Sequence, residues 1–240
     1  MKTPEYKELL DAGVHFGHLK SKWNPKMRPY IFMERKGIHI IDLNRTSEAL
    51  QRAANAARQM AMNNKKIMFV ATKKQARDIV ANAARSVNMP FVTDRWLGGM
   101  MTNFSTIRRS VKKMQNIERM LGDGTLTSVT KKERLTLTRE KDKLEKVLGG
   151  IANLNRLPNA LFIVDIHHEH LALQEAQRLG IKTIAMVDTN SDPNSVDFAI
   201  PANDDASKSI ALITNTIAEA IKQGLEERKS MAEDKTEAEA

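Results

Sequence analysis

Arg95-Trp96-Leu97-Gly98-Gly99, running on to Asn103, places a guanidinium, an indole and two glycines between an apolar strand and a highly charged segment. A guanidinium clamps a phosphate bidentately or stacks on a base, an indole offers a π-face, and paired glycines let backbone approach a bulky ligand. The stretch reads as a nucleic-acid recognition loop, although Trp96 reads equally as a buried anchor above a glycine turn. A second basic group, Lys20, Lys22, Trp23, Asn24, Lys26 and Arg28, is broken by Pro25 and Pro29, which keep it out of regular structure. His15 and His18 stand three apart just before it. His18, Asp188 and Asp204 have the ligand types of a mixed site for Zn²⁺ or, with oxygens alone, Mg²⁺. The competing reading makes Asp188 a turn former and Asn203-Asp204-Asp205 the cap of a last helix. His167-His168-Glu169-His170, where a strand passes into a helix, reads as polar caps or exposed residues rather than ligands.

Catalytic signatures are missing. No G-x-G-x-x-G follows the apolar strand at 67–71, and neither a G-x-x-x-x-G-K-[ST] loop nor a G-x-S-x-G elbow occurs. With no cysteine, thiolate nucleophiles, disulfides and Cys-ligated zinc are excluded. The expectation is a non-enzyme. Lys73 and Lys74 open a helix after Thr72, where free backbone N–H groups help two cations hold an RNA phosphate.

These groups need a scaffold, and the rest of the chain describes one. Continuous apolar strands at 67–71, 160–164 and 183–187, with shorter ones at 91–92 and 198–200, alternate with helices near 73–88, 169–179 and 205–224. Strands apolar on both faces and alternating with helices specify an α/β, doubly wound parallel sheet. Between 104 and 150 the alternation stops. Ile107, Val111, Met114, Ile117 and Leu121 recur at spacings of three and four, and Leu137, Leu144, Leu148 and Ile151 continue a second stripe. Gly122-Asp123-Gly124 reads as a turn between the stripes and Thr130 with Glu133 as a capping box. Two antiparallel helices of roughly 27 Å each follow, an inserted coiled-coil hairpin with Arg108, Arg109, Lys112 and Lys113 on its outer faces. For any one of these cations a solvated face is the simpler explanation. The expected organisation is an N-terminal helix (5–12) and irregular basic arm over 1–45, an α/β domain over 46–103 and 151–225, the hairpin over 104–150, and a disordered acidic tail over 226–240. Within the first segment 38–42 reads as a short strand, and Asn44 or Thr46 as the cap of a helix over 47–63.

Composition agrees with an RNA partner. Lys and Arg total 38 against 29 Asp and Glu, a formal charge of +9, which favours a polyanion, nucleic acid ahead of an anionic membrane. Apolar runs fall far short of the roughly 20 residues that span a bilayer. The charged N-terminus lacks a signal-peptide core, so a cytoplasmic protein is expected.

An ordered set of motifs narrows the reading further. Asp11-Ala12-Gly13-Val14-His15-Phe16-Gly17-His18 leads to Trp23-Asn24-Pro25-Lys26-Met27 and Ile38-His39-Ile40-Ile41-Asp42-Leu43. Phe69-Val70-Ala71-Thr72-Lys73-Lys74-Gln75-Ala76, the Arg95 to Gly99 loop, Val187-Asp188-Thr189-Asn190 and Ile200-Pro201-Ala202-Asn203-Asp204-Asp205 complete it. Together, over residues 1 to 226, they closely resemble the S-two family of bacterial small (30S) ribosomal subunit proteins. The resemblance implies a flavodoxin-like α/β fold with a protruding coiled-coil hairpin. It also implies a structural, ribosome-bound role at the junction of head and body, with 16S rRNA, neighbouring small-subunit proteins and the large mRNA-binding protein S-one as partners. No cofactor is required. Physical reasoning then chooses the RNA contacts: Lys20, Lys22, Trp23, Asn24, Lys26 and Arg28 of the arm, Lys73 and Lys74, Arg95, Trp96 and Asn103 of the loop, and Arg108, Arg109, Lys112 and Lys113 of the hairpin. Most are expected on phosphate and sugar, with Trp23 or Trp96 stacking on an unpaired base. His15, Phe16 and Gly17 are expected to fasten the arm to the core. The alternative from another class is a nucleotide- or metal-dependent enzyme at the Asp188 and Asp204 edge.

Overall fold

The computed structural model of the chain describes residues 4–122 and 130–238. A parallel sheet of five strands forms its centre: β4 (Ile67–Val70), β5 (Phe91–Val92), β6 (Ala160–Val164), β7 (Lys182–Val187) and β8 (Phe198–Pro201), hydrogen-bonded in the order β5-β4-β6-β7-β8. Counted along the chain, the order is second, first, third, fourth, fifth, the flavodoxin-type arrangement, whose direction reverses between β4 and β6. Alternation along each strand supplies two cores. Ile67, Phe69, Phe162, Val164, Ile184 and Met186 face α2 (Leu43–Met62), α3 (Arg77–Ser86) and α7 (Ser207–Ala238). Met68, Val70, Leu161, Ile163, Ala185 and Val187 face α6 (His170–Leu179) and the roots of α4 (Phe104–Gly122) and α5 (Lys131–Leu148). Phe69 and Phe162, adjacent in register, meet edge to face at 5.3 Å, and each contributes roughly 1.5–3 kcal/mol by leaving water. α2 and α7 pack closely because α2 buries alanines 53, 54, 57 and 61, and Gly224 of α7 lies against it. A Cβ at Gly224 would stand 2.3 Å from the Arg58 carbonyl oxygen.

The N-terminal segment is more regular than expected. After α1 (Tyr6–Asp11), β1 (Phe16–Leu19), β2 (Ile31–Arg35) and β3 (Ile38–Ile41) form an antiparallel sheet in the order β1-β3-β2. The prolines confine irregularity to short 3₁₀ turns at 20–22 and 25–30, while Lys36 (φ 52°) and Gly37 (φ 76°) make the two-residue hairpin turn that closes β2 on β3. Asp42, not Asn44 or Thr46, caps α2, accepting from the Asn44 N–H at 2.9 Å. The interruption at 104–150 is two long helices packed together, joined by ion pairs from Lys113 to Glu140 and from Lys141 to Glu118. The Thr130–Glu133 capping box opens α5; Asp123 and Gly124 of the expected turn lie outside the described residues. The backbone of α7 stays helical past residue 226, where the sequence predicted no regular structure. Apolar periodicity does end there, but Ala, Glu, Lys and Met are strong helix formers that continue an existing helix without burial. No described helix is long and apolar enough to cross a membrane.

Candidate nucleic-acid interface and the His18 cluster

The C-terminal edge of the sheet gathers the titratable groups. Asp165 follows β6, Lys73 follows β4, Asp188 follows β7, and Asp204 lies just after β8, so parallel strands of similar length deliver all four to one edge. Lys73 Nζ lies 3.1 Å from Asp165, 2.8 Å from Asp204 and 2.6 Å from Asp205. Burial alone would lower the Lys73 pKa, but Asp204, Asp205 and Asp165 outweigh it and hold the ammonium charged. Glu169, also buried, accepts from the Thr72 N–H and hydroxyl, both at 2.6 Å, and its pKa is raised by burial. Thr72 with Glu169, and Lys73 with Asp165, thus bridge the segments that follow β4 and β6, where doubly wound folds take ligands.

His18 reaches this edge from β1. Its Nδ1 stands 3.1 Å from Asp188 Oδ2 and its Nε2 3.6 Å from Asp205. The hydrogen bond to Asp188 raises the His18 pKa against the opposing effect of burial. Gly17 makes the approach possible, since a Cβ there would lie 2.6 Å from the Thr189 methyl and 3.0 Å from the His39 carbonyl oxygen. The His18 N–H then donates to the Thr189 hydroxyl at 2.8 Å. One ligand atom each from His18, Asp188 and Asp204 falls within 4.8 Å of the others, and Asp204 Oδ2 is buried with no hydrogen-bond partner among the described residues. Burial, then the Asp165 and Asp188 charges, push the Asp204 carboxyl up to about 7. An imidazole nitrogen and two carboxylates around an orphaned oxygen suit a small divalent cation, with Zn²⁺ favoured by the nitrogen. Asn203, not Asp204, organises the turn that leads into α7: its Oδ1 accepts from the Asp205 and Ala206 N–H groups just before the helix.

The Arg95 loop is held by a residue that sequence reasoning missed. Glu175 of α6 accepts from the Trp96 indole N–H at 3.0 Å, from the backbone N–H groups of Gly99, Met101 and Thr102 at 2.8–2.9 Å, and from the Thr102 hydroxyl. Burial would raise the Glu175 pKa, but the four N–H donors outweigh it and the carboxyl is held below its ordinary value. Trp96 is buried at 6% exposure, the anchor alternative among its two readings, while Arg95 and Asn103 remain exposed beside it. Arg95, Arg77, Lys146 and His168 surround a cavity of about 490 Å³ in which Asp94 and Glu169 are the carboxylates.

The other basic residues fall on three surfaces. Lys22 and Arg28 are exposed on the arm, while Lys20 pairs with Glu34 at 2.8 Å and Lys26 with Asp192 at 2.6 Å. Half-buried Trp23 rests on His39, ring centroids 5.1 Å apart, and the Asn24 N–H donates to the Thr189 carbonyl. Lys74 is exposed next to the inward-turned Lys73, but both lie in the turn before α3 and do not open the helix as expected, since α3 starts only at Arg77. On α4, Arg109 and Lys112 are exposed, Lys113 pairs with Glu140, and Arg108 donates to Asn155 of the body at 2.9 Å. The fold does not gather these cations into one patch; it distributes them over arm, sheet edge and hairpin.

Comparison with known proteins adds an independent finding. A family model described as ribosomal protein S2 matches residues 9–224. Proteins named small ribosomal subunit protein uS2 are similar along the whole chain. That of Cytophaga hutchinsonii is 58% identical, covering 97% of this chain and 92% of the relative. That of Porphyromonas gingivalis is 57% identical over 96% and 82%, and that of Parabacteroides distasonis 55% identical over 100% and 85%.

Proposed function

The chain belongs to the ribosomal protein S2 family, and from that premise we propose that it binds 16S rRNA at the junction of head and body of the small subunit and helps to dock the mRNA-binding protein S-one. Its role is that of a structural, non-enzymatic constituent of the small ribosomal subunit in translation. The observation that carries the RNA reading is the set of exposed cations without carboxylate partners among the described residues: Lys22 and Arg28 on the arm, Lys74 and Arg95 at the sheet edge, Arg109 and Lys112 on the hairpin. Cations spread over three elements suit a folded RNA read by shape through phosphate and sugar. In this reading Lys20, Lys26, Asn103, Arg108 and Lys113 add contacts at the rims of these surfaces. Trp23, Asn24, Lys73 and Trp96 serve mainly by fixing the arm and the loop. The helices α4 and α5 act as a projecting coiled-coil arm.

The docking part of the reading is supported by an apolar patch. Tyr6, Leu10, Phe16, Phe32 and Met33 are exposed together around a cavity of about 330 Å³, with Phe32 at 70% exposure. Such clustering on a soluble chain marks a protein-binding surface.

Sedimentation of the tagged protein from a bacterial lysate tests the whole reading. Co-migration with 30S particles, weakened by monovalent salt, is expected; migration as a free protein at low salt would overturn it. The His18 cluster favours one addition: a Zn²⁺ held by His18, Asp188 and Asp204 would clamp the arm to the sheet, as a structural ion and not a catalytic one.

A further inference from the structure

The opposite, N-terminal edge of the sheet carries a second basic cavity, of about 350 Å³. Lys66 precedes β4 there, Arg85 stands in the last turn of α3, Phe91 opens β5, and Asn88, Gly150 and Asn153 form part of the wall. Among the described residues no carboxylate lines it. The hydrogen bonds that its two cationic heads make among the described residues are long, 3.4 Å from Lys66 Nζ to the Asn88 carbonyl and 3.4 Å from Arg85 Nη1 to Asn82. The Arg85 guanidinium lies over the Phe91 ring, 5.0 Å from its centroid, which orients the fork without neutralising it. Gly150 is required for this wall, because a Cβ would come 2.1 Å from the Phe91 carbonyl oxygen. The cavity is at the small end of the roughly 300–1,000 Å³ range of ligand pockets, too small for a duplex.

We propose that this cavity takes one unpaired nucleotide of an RNA strand, its phosphate held by Lys66 and Arg85 and its base stacked on the guanidinium plane that Phe91 supports. The chemistry follows from the parts: two uncompensated cations for a phosphodiester, a flat cation for a base, and the amides of Asn88 and Asn153 for its polar edge. Because Gly150 follows α5 almost directly, an occupied cavity would also brace the root of the hairpin. The inference rests on the RNA-binding reading but uses a surface that reading did not assign.

The test is a titration of the full-length, amide-labelled protein by heteronuclear NMR with a uridylate hexamer, uridine 5′-monophosphate and inorganic phosphate. The hexamer is expected to shift the amides of Lys66, Phe91, Gly150 and Asn153 at concentrations where phosphate does not. The double variant Lys66→Gln/Arg85→Gln, at two exposed positions, is expected to keep its melting temperature and lose about tenfold in hexamer affinity. Unmoved amides, or equal shifts in the double variant, would overturn the proposal. Equal affinity for the monophosphate and the hexamer would overturn it in favour of a soluble nucleotide. Filter binding of 16S rRNA separates the two readings: retained rRNA binding without a hexamer response sinks the cavity alone, whereas loss of both sinks RNA binding itself.

Discussion

The indole N–H of Trp96 donates to the Glu175 carboxylate at 3.0 Å, and that same carboxylate collects three backbone N–H groups and a hydroxyl from the glycine loop beyond. One side chain of α6 therefore sets the shape of the loop that presents Arg95. Charge-assisted hydrogen bonds are each worth about 1.5–3 kcal/mol, so Glu175→Gln, which loses the charge and turns an amide towards donors, is expected to cost about 2–3 kcal/mol. Urea unfolding measures the cost, and Trp96 fluorescence should move to the red. A variant with unchanged stability would remove Glu175 from this role.

The same contact predicts a pH dependence. The folded pKa of Glu175 lies below its unfolded value, so its stabilisation is fully present above the ordinary glutamate range. It is lost as pH falls through the depressed folded value. Urea midpoints of the wild type and Glu175→Gln should therefore draw together as pH falls below the ordinary glutamate range. A gap that stays constant with pH would contradict the assignment.

Lys73 is expected to matter for folding before it matters for RNA. Removing it takes away the ammonium that Asp165, Asp204 and Asp205 share, and breaking a buried ion network typically costs about 3–5 kcal/mol. Lys73→Met should lower stability by that order at pH 7, whereas Lys74→Ala, at an exposed position, should leave it within about 0.5 kcal/mol. Thermal melts of the two variants decide between the roles; equal melts would return Lys73 to the surface chemistry.

Binding of 16S rRNA should discriminate among arm lysines. Lys22→Ala and Arg28→Ala remove exposed cations that have no carboxylate partner among the described residues, and are each expected to reduce the salt slope of binding by about 0.7–0.9. Lys26→Ala breaks an ion pair with Asp192, and its effect on the slope should be smaller. Filter binding over a range of monovalent salt gives the three slopes. If Lys26 dominates, exposure without a partner is the wrong criterion.

Zn²⁺ affinity should rise with pH. The metal competes with protons on His18, whose pKa is raised, and on Asp204, pushed up to about 7, so binding releases protons near neutrality. Isothermal titration in two buffers of different ionisation enthalpy reads that release. His18→Ala and Asp204→Asn should each abolish the heat; an unchanged isotherm in either would exclude that residue as a ligand.

The sequence alone determined the alternation of strands and helices, the two stripes of the inserted helices and the Thr130–Glu133 cap, because apolar periods of two and 3.6 and capping patterns act within a few residues. It also carried the motifs by which the family is identified over residues 9–224. Strand β2 was missed: Pro25, Pro29 and Gly37 flank a largely exposed Ile31–Arg35 segment whose strand character comes from pairing with β3 and not from a local pattern. The tertiary structure alone decided that Lys73 points inward, that Trp96 is an anchor and that Glu175, which no motif marks, organises the loop. It also decided that the chain brings His18 within 3.1 Å of Asp188, 170 positions away. The reason is physical: propensity and periodicity are local, whereas the partner that satisfies a buried charge or indole comes from whichever strand end or helix face the topology places beside it.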